Sequence, residues 1–452
     1  MRLAGRLALL GAAGGSLSAC VPREPRAAAR ELEALVEARA GVEVDGLARE
    51  RSAAAMAEFV RTRLQDGLAR DDAVVIGLLN NRRLQASFAA LGVAQADLIA
   101  AGLLRNPKLD LHFRLSGGRL FPEFAVVQAL LDAFLIPARR KLARLRIEQA
   151  RLELAREALE LRAEILDAYA SLQALHALRR VRGDIVEAAA LAAELGRQQR
   201  AAGTIPEIDA ASLQAAHQRT LVVLAETELA LARARERLND LLGLWGPDTG
   251  WRAQDELPQV AADEPALPGL ESAAIAQRLD VAAARTQVEA MVRSAQLARA
   301  GKFMGAELGA TLERDLGGDR ALGPVVELEA PIFDWGRAEV ARIRARIVQA
   351  RRRLEALAIR ARAEVRSTHA ELVTHRRMAE YYQSTLVPAQ AELLALAQVR
   401  YDAMLLGVYD LLRARQDELA ARERGIEATR DYWIARARLE LAVGGRLPPR
   451  NP

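Results

Sequence analysis

The sequence predicts a mainly α protein with a small β part: long antiparallel helical hairpins, each preceded by a short β-hairpin. Three observations carry this reading. Of 452 residues, 51% are hydrophobic but only 4% aromatic, and 64 Lys and Arg stand against 59 Asp and Glu. That is the composition of long helices meeting along thin Ala and Leu seams, not of a large rounded core. The chain also repeats itself. Adding 201 to the residue number carries Gly203 onto Met404, Asp209 onto Asp410, Ala234-Arg235 onto Ala435-Arg436 and Gly243 onto Gly444, with no gap. Finally, within each repeat the hydrophobic period switches from helical spacing to strict alternation over one short stretch.

In chain order, Arg2 and Arg6 precede an apolar run, Leu7 to Ala13, and small residues lead to Leu17-Ser18-Ala19-Cys20. Residues 1–19 thus resemble a bacterial lipoprotein signal peptide. Cleavage would leave Cys20, the one cysteine of the chain, as the attachment point for a covalent lipid. An ordinary secretory signal with an incidental cysteine is the alternative. At about 0.8 kcal/mol per buried CH₂, several acyl chains hold a protein durably at a membrane. Val21 in place of Asp after the cysteine implies, by the same resemblance, the outer membrane. Residues 20–70 form a polar lead with weak periodicity, to which the sequence assigns no role beyond joining the anchor to the body.

The first structural repeat spans 71–243. Val74, Val75, Leu78, Leu79, Leu84, Phe88 and Leu91 recur at helical spacing, which predicts one helix of roughly 30 residues to Ala101, closed by Gly102 and Pro107. Leu109, Leu111, Phe113 and Leu115 then alternate with Lys108, Asp110, His112 and Arg114. Gly117-Gly118 makes a turn, and Phe124 to Leu131 returns, so a β-hairpin occupies about 107–131. From Pro137 to Gly203 one helix of roughly 65 residues follows, with an apolar seam that includes Leu142, Leu152, Leu159, Ile165 and Leu172. It turns at Gly203 and comes back through Leu213, Leu221, Leu224, Leu231 and Leu238. Residues 244–270, with Pro247, Pro258, Pro265 and Pro268, read as a linker.

The second repeat, 271–445, restates this order. A helix runs from Arg278-Leu279-Asp280 to Gly301, and a β-hairpin occupies about 303–330, alternating through Leu308, Ala310 and Leu312 and again through Val326 and Leu328. A long helix reaches a turn at about 404–407, and a closing helix ends at Gly444. Arg362-Ala363-Glu364-Val365 echoes Arg162-Ala163-Glu164-Ile165, and Pro388 inside the long helix costs about 3 kcal/mol, enough to bend or break it. Residues 446–452 are a tail.

Strands of nine to eleven residues have the length that a tilted strand needs to cross a bilayer. No later stretch approaches 18 uncharged apolar residues, so the sequence predicts that any membrane crossing is made by strands. Four strands do not close a barrel, and open edges are not tolerated in lipid, so other copies must complete them. The formal charge of +5, or +3 once Arg2 and Arg6 leave, is dispersed among alternating Arg and Glu, which argues against nucleic acid. No phosphate loop, nucleophile motif or His-x-x-x-His spacing occurs, so no enzyme, metal centre or other cofactor is expected.

Leu103-Leu104-Arg105-Asn106-Pro107, Pro331-Ile332-Phe333-Asp334-Trp335-Gly336-Arg337 and the turn from Arg400 to Ala414, in this order within a twofold repeat, resemble the TolC-like outer-membrane efflux proteins and their lipoprotein branch. The resemblance covers about residues 71–445. It implies a homotrimer whose chains give four strands each to a transmembrane β-barrel, continued by a long α-helical coiled-coil barrel across the periplasm. It implies the exit duct of a tripartite efflux system, with a periplasmic adaptor at the tips (Gly203, Met404, Gly407) and an inner-membrane RND-type pump. Leu109, Leu111, Phe113 and Leu115 would face lipid. In such proteins acidic side chains narrow the closed end. Asp410 and its counterpart Asp209 match, Arg413 stands where a second acid is usual, and Tyr401 is a further candidate for the constriction. A closed end held by Asp410–Arg413 pairing and by the Tyr401 hydroxyl is the expectation. A duct for type I protein secretion is the alternative, and a periplasmic coiled-coil adaptor a weaker one.

Overall fold

A computed structural model describes residues 25–44, 46–47, 52–116, 119–253, 256–261, 264–301, 306–314, 320–328 and 337–447. Cys20, both Gly-Gly turns and the 331–336 motif lie outside them. The chain divides into two compact units, one drawn from Met1–Leu32, Ser87–Leu154 and Leu279–Leu357, the other from Glu33–Ala86, Ala155–Arg278 and Ala358–Pro452.

The first unit holds a four-stranded antiparallel sheet in the order β1 (Lys108–Ser116), β2 (Arg119–Gln128), β3 (Ala306–Arg314), β4 (Arg320–Leu328). β2 begins and ends earlier than its side-chain pattern suggests. Pairing of Ser116 with Arg119 sets the register, and Leu130–Leu135 winds into a 3₁₀ turn. Pro122 obscures the alternation. It stands where β2 has no β3 partner, since that ladder covers only Phe124–Gln128, and so its missing N–H leaves no β3 carbonyl unpaired.

The second unit contains the lead that the sequence left without a role. Helices α1 (Pro25–Ala40) and α2 (Ala53–Leu64) bring Val36, Val44, Met56, Val60 and Leu68 into buried positions. Leu68 forms a parallel bridge with Ala253 and receives the Tyr169 hydroxyl on its carbonyl at 2.7 Å. Weak periodicity hid this because the segment is buried by what it meets, not by a face of its own.

The expected 30-residue helix is two helices, α3 (Arg70–Asn80) and α4 (Arg82–Ala101), broken where Asn81 turns extended. The Asn81 amide caps the start of α4 and ties the break to another helix: its Oδ1 accepts from Leu84 N at 3.0 Å and its Nδ2 donates to Leu241 O at 2.9 Å. The second repeat breaks the same way at Arg278, between α7 (Leu270–Gln277) and α8 (Leu279–Gly301), and Arg278 donates to Ala442 O. Against the expectation that no later segment would qualify, α4 is long and apolar enough to cross a membrane by length and composition. Seven of its residues are alanine, and Gln85, Gln95 and Asp97 interrupt it.

Helix α5 runs unbroken from Ile136 to Ala201 and α6 from Glu207 to Leu242. Gly77 of α3 meets both. A Cβ there would stand 2.3 Å from Ile165 and 3.4 Å from Leu242, so the close approach requires glycine. In the second repeat α9 (Arg337–Tyr381) passes through a π turn, Tyr382–Leu386, into α10 (Val387–Asp402), and α11 (Val408–Val443) returns. Pro388 falls in the first turn of α10, where its missing N–H is tolerated. Leu270, Val365, Leu372, Tyr432, Leu439 and Val443 form one core cluster here.

The linker is strapped down rather than free. Trp251 is buried and donates to Asn239 at 2.8 Å, Trp433 donates to Pro258 O at 2.9 Å, and Gln173 to Glu256 O at 2.7 Å. The seam of α6 is not sealed within the chain: Leu221, Val222, Val223 and Leu229 are exposed, as are Leu393, Leu396 and Val399 of α10.

Candidate functional site: the exposed sheet face and the helical turns

Alternation places Leu109, Leu111, Phe113 and Leu115 on one face of β1, and they are 49–75% exposed. Register extends that face across the sheet. Leu111 pairs with Phe124, Phe124 with Leu312 and Leu312 with Leu322; Leu109 pairs with Val126, Val126 with Ala310 and Ala310 with Pro324. Leu308 and Val326 add to it, and every large apolar side chain in these rows is exposed. The opposite face is polar and in part buried. Ala125 and Val127 are buried, and Lys108 reaches from β1 past β2 to both carboxylate oxygens of Glu307 on β3 at 2.8 Å. Asp110 lies on this face. A sheet in water buries its apolar face, since exposed apolar area costs about 25 cal/mol per Å². This one does the reverse, and β1 and β4 present open edges.

The second unit carries the turns. At the first, Gly203 has φ +72°, its N–H bonds Arg200 O at 2.9 Å and Thr204 N–H bonds Gln199 O at 2.9 Å. At the second, Met404 has φ +60°, its N–H bonds Tyr401 O at 2.8 Å and Leu405 N–H bonds Arg400 O at 2.8 Å. These are two copies of one Schellman ending, offset by the repeat. Met404 is the one non-glycine residue with positive φ among the described residues, and it is 93% exposed. Gly407 has a different part from Gly203. With φ −74° and ψ 152° it starts the returning helix, as Pro206 does in the first turn.

Asp209 and Asp410 stand in the first turns of α6 and α11, where the helix dipole favours negative charge. Arg413 is exposed, and the expected Asp410–Arg413 ion pair is absent among the described residues. The Asp410 carboxylate instead folds back to the helix start, with Oδ2 3.4 Å from where a Cβ on Gly407 would be. Tyr401 is also exposed and its hydroxyl meets no neighbouring helix among the described residues. That part falls to Tyr409, which sequence reasoning passed over: its hydroxyl donates to Gln199 Oε1 on α5 at 2.5 Å. Arg182 of α5 makes two further ties, to Glu423 of α11 at 2.6 Å and to Thr227 of α6 at 2.5 Å. A tyrosine beside a turn, in a chain with so few aromatics, was a usable signal. One Arg and one Glu among so many were not.

Residues 270–445 match the family described as outer membrane efflux protein. The chain is 27% identical over 348 residues to Protein CyaE of Bordetella pertussis, covering 70% of this chain and 69% of that protein. Its fold is similar to the Campylobacter jejuni CmeC outer membrane channel, with a TM-score of 0.71 at 16% identity over 85% of this chain and 87% of that one. It is also similar to a membrane protein from Pseudomonas aeruginosa, with a TM-score of 0.69 at 21% identity over 83% and 92%. The open state of the Neisseria gonorrhoeae MtrE outer membrane channel follows, with a TM-score of 0.67 at 20% identity over 85% and 89%. The family match lies within the second repeat, and the solved channels share the fold of the chain as a whole.

Proposed function

We propose that the chain is the exit duct of a tripartite efflux system: a channel, not an enzyme, that carries small molecules or ions from the periplasm and an inner-membrane pump to the exterior. The observation that carries this reading is the sheet whose large apolar residues face outward while its charged residues pair on the other face, with two open edges. Lipid is the solvent that suits such a face, and only closure by further strands suits such edges. Three copies give twelve strands and bring the exposed aliphatic residues of α6 and α10 into contact with neighbours. Cys20 carries a lipid in the outer membrane. Gly203 and Met404 present the tips to a periplasmic adaptor, beside Gly407, and an RND-type pump stands beyond it. The efflux description of the matched family favours this over a protein-secretion duct. At the closed end, Asp209 and Asp410 supply carboxylates near the turns, with Arg413 and Tyr401 beside them, and Tyr409–Gln199 holds the second hairpin to the first.

Mass measurement in detergent and conductance in planar bilayers test this together. A trimer with discrete channel openings is expected, with higher conductance in Tyr409→Phe and Asp410→Ala than in wild type. A monomer that retains its helices and conducts nothing would overturn the reading.

A further inference from the structure

In the second unit a cavity of about 640 Å³ lies among the end of α1, the start of α3, α5 and α11. Its charged lining is four guanidiniums, Arg70, Arg162, Arg436 and Arg446, against two carboxylates, Asp71 and Glu440. Three of the arginines converge. Arg162 donates to Glu440 at 2.8 Å, Arg436 Nε lies 4.0 Å from the same carboxylate, and Arg70 and Arg436 both stack on the Trp433 ring, at 5.1 and 5.4 Å from its centroid.

These groups are short of acceptors. Arg162 is only 8% exposed, yet its Nε has no hydrogen-bond partner among the described residues, and neither does Arg436 Nε. The next carboxylate, Glu264, lies 3.6 Å from Arg436 through Oε1, which already accepts the Tyr432 hydroxyl, while its buried Oε2 has no hydrogen-bond partner among the described residues. Arg70 and Arg446 donate no side-chain hydrogen bond to another described residue. Burial pushes the Arg70 guanidinium below its usual range, with Arg162 and Arg436 adding to that and Glu440 and Asp71 opposing it. Buried charges left this way are costly, whereas a guanidinium fork matches two oxygens of an oxyanion.

We propose that this cavity binds a small divalent oxyanion of the phosphate type. The lining carries two more positive than negative groups, which a divalent anion balances, and the donors left over are planar forks walled by an indole. Once seated, the anion ties four segments together, which makes it a staple of this unit independent of what the channel transports.

Inorganic phosphate is the probe, dialysed to equilibrium against the full-length protein in detergent at constant ionic strength in chloride, with tryptophan fluorescence as a second readout. Saturable uptake of one phosphate per chain is expected, accompanied by a fluorescence change that Trp433→Phe removes. Arg70→Met should weaken binding roughly tenfold, the usual effect of losing one charge-assisted contact. Because Arg70 donates no hydrogen bond to another described residue, this variant should keep wild-type helicity and elution. Arg353→Met, on the exposed face of α9, should bind as wild type does. Absence of saturable uptake, which would follow if a neighbouring copy fills the cavity, or equal affinity in Arg70→Met and wild type, overturns the proposal.

Discussion

Met404 holds left-handed backbone where the first turn uses Gly203, and a side chain there costs about 1–2 kcal/mol. Met404→Gly is therefore expected to stabilise the protein by up to about 1 kcal/mol, the extra chain entropy of glycine offsetting part of the gain. Met404→Val should destabilise it, since a β-branched residue fits that region worst. Thermal unfolding of the two variants checks the order, and a reversed order would mean that the tip is not strained. Tyr432 is the other residue with a measurable signature. Burial first, then its bond to Glu264, raises its hydroxyl from 10.0 to about 12. A raised pKa contributes stability that is complete below about pH 10 and is lost as pH rises through about 12. Melting temperature should fall across that window, and Tyr432→Phe, though less stable at neutral pH, should lack that part of the fall.

At the scale of elements, the π turn explains a discrepancy inside the repeat. Arg362 follows Arg162 by 200 residues, but Met404 follows Gly203 by 201, so the second repeat has gained one residue between. A π turn is how a helix absorbs one residue without rotating what lies on either side, and Tyr382–Leu386 lies in that interval. Deleting Ser384 together with Pro388→Ala should therefore leave a straight α-helix and a folded protein. Deleting Ser384 alone puts the proline in a helix interior, at a cost of about 3 kcal/mol. Deleting one residue elsewhere in α9, such as Arg353, rotates one half of the helix by about 100° and should prevent folding. Equal tolerance of all three deletions would show that the π turn is not the inserted residue. The paired breaks at Asn81 and Arg278 follow the same economy: each break residue donates to a carbonyl two residues before the glycine that ends the returning helix.

For the whole molecule, the distinction between the two sheet faces is the property to test. Leu111 begins the apolar row that crosses all four strands, and Leu111→Arg should cost roughly 2–4 kcal/mol if the row meets the middle of a bilayer. Asp110→Asn, on the polar face, should cost far less. Unfolding in urea from lipid vesicles gives both numbers, and similar costs for the two would remove the reason to place one face in lipid.

Periodic features were determined by the sequence alone, because they depend on spacing within one segment. Strand alternation, the long helices, the offset between the two turns and the anomalous Met404 were all legible. Features that depend on what a segment meets were decided only by tertiary structure. With 64 basic and 59 acidic side chains, no local rule selects Arg182 with Glu423 or Arg162 with Glu440. The break at Asn81 carries neither glycine nor proline, and its cause is a carbonyl 160 residues away. The lead has too little periodicity to declare a core face, yet Val36, Val44 and Leu68 are buried because α1, α2 and the linker are held against the helices of the second unit. Burial is a relation between segments, and hydrophobic spacing within one segment does not encode its partner.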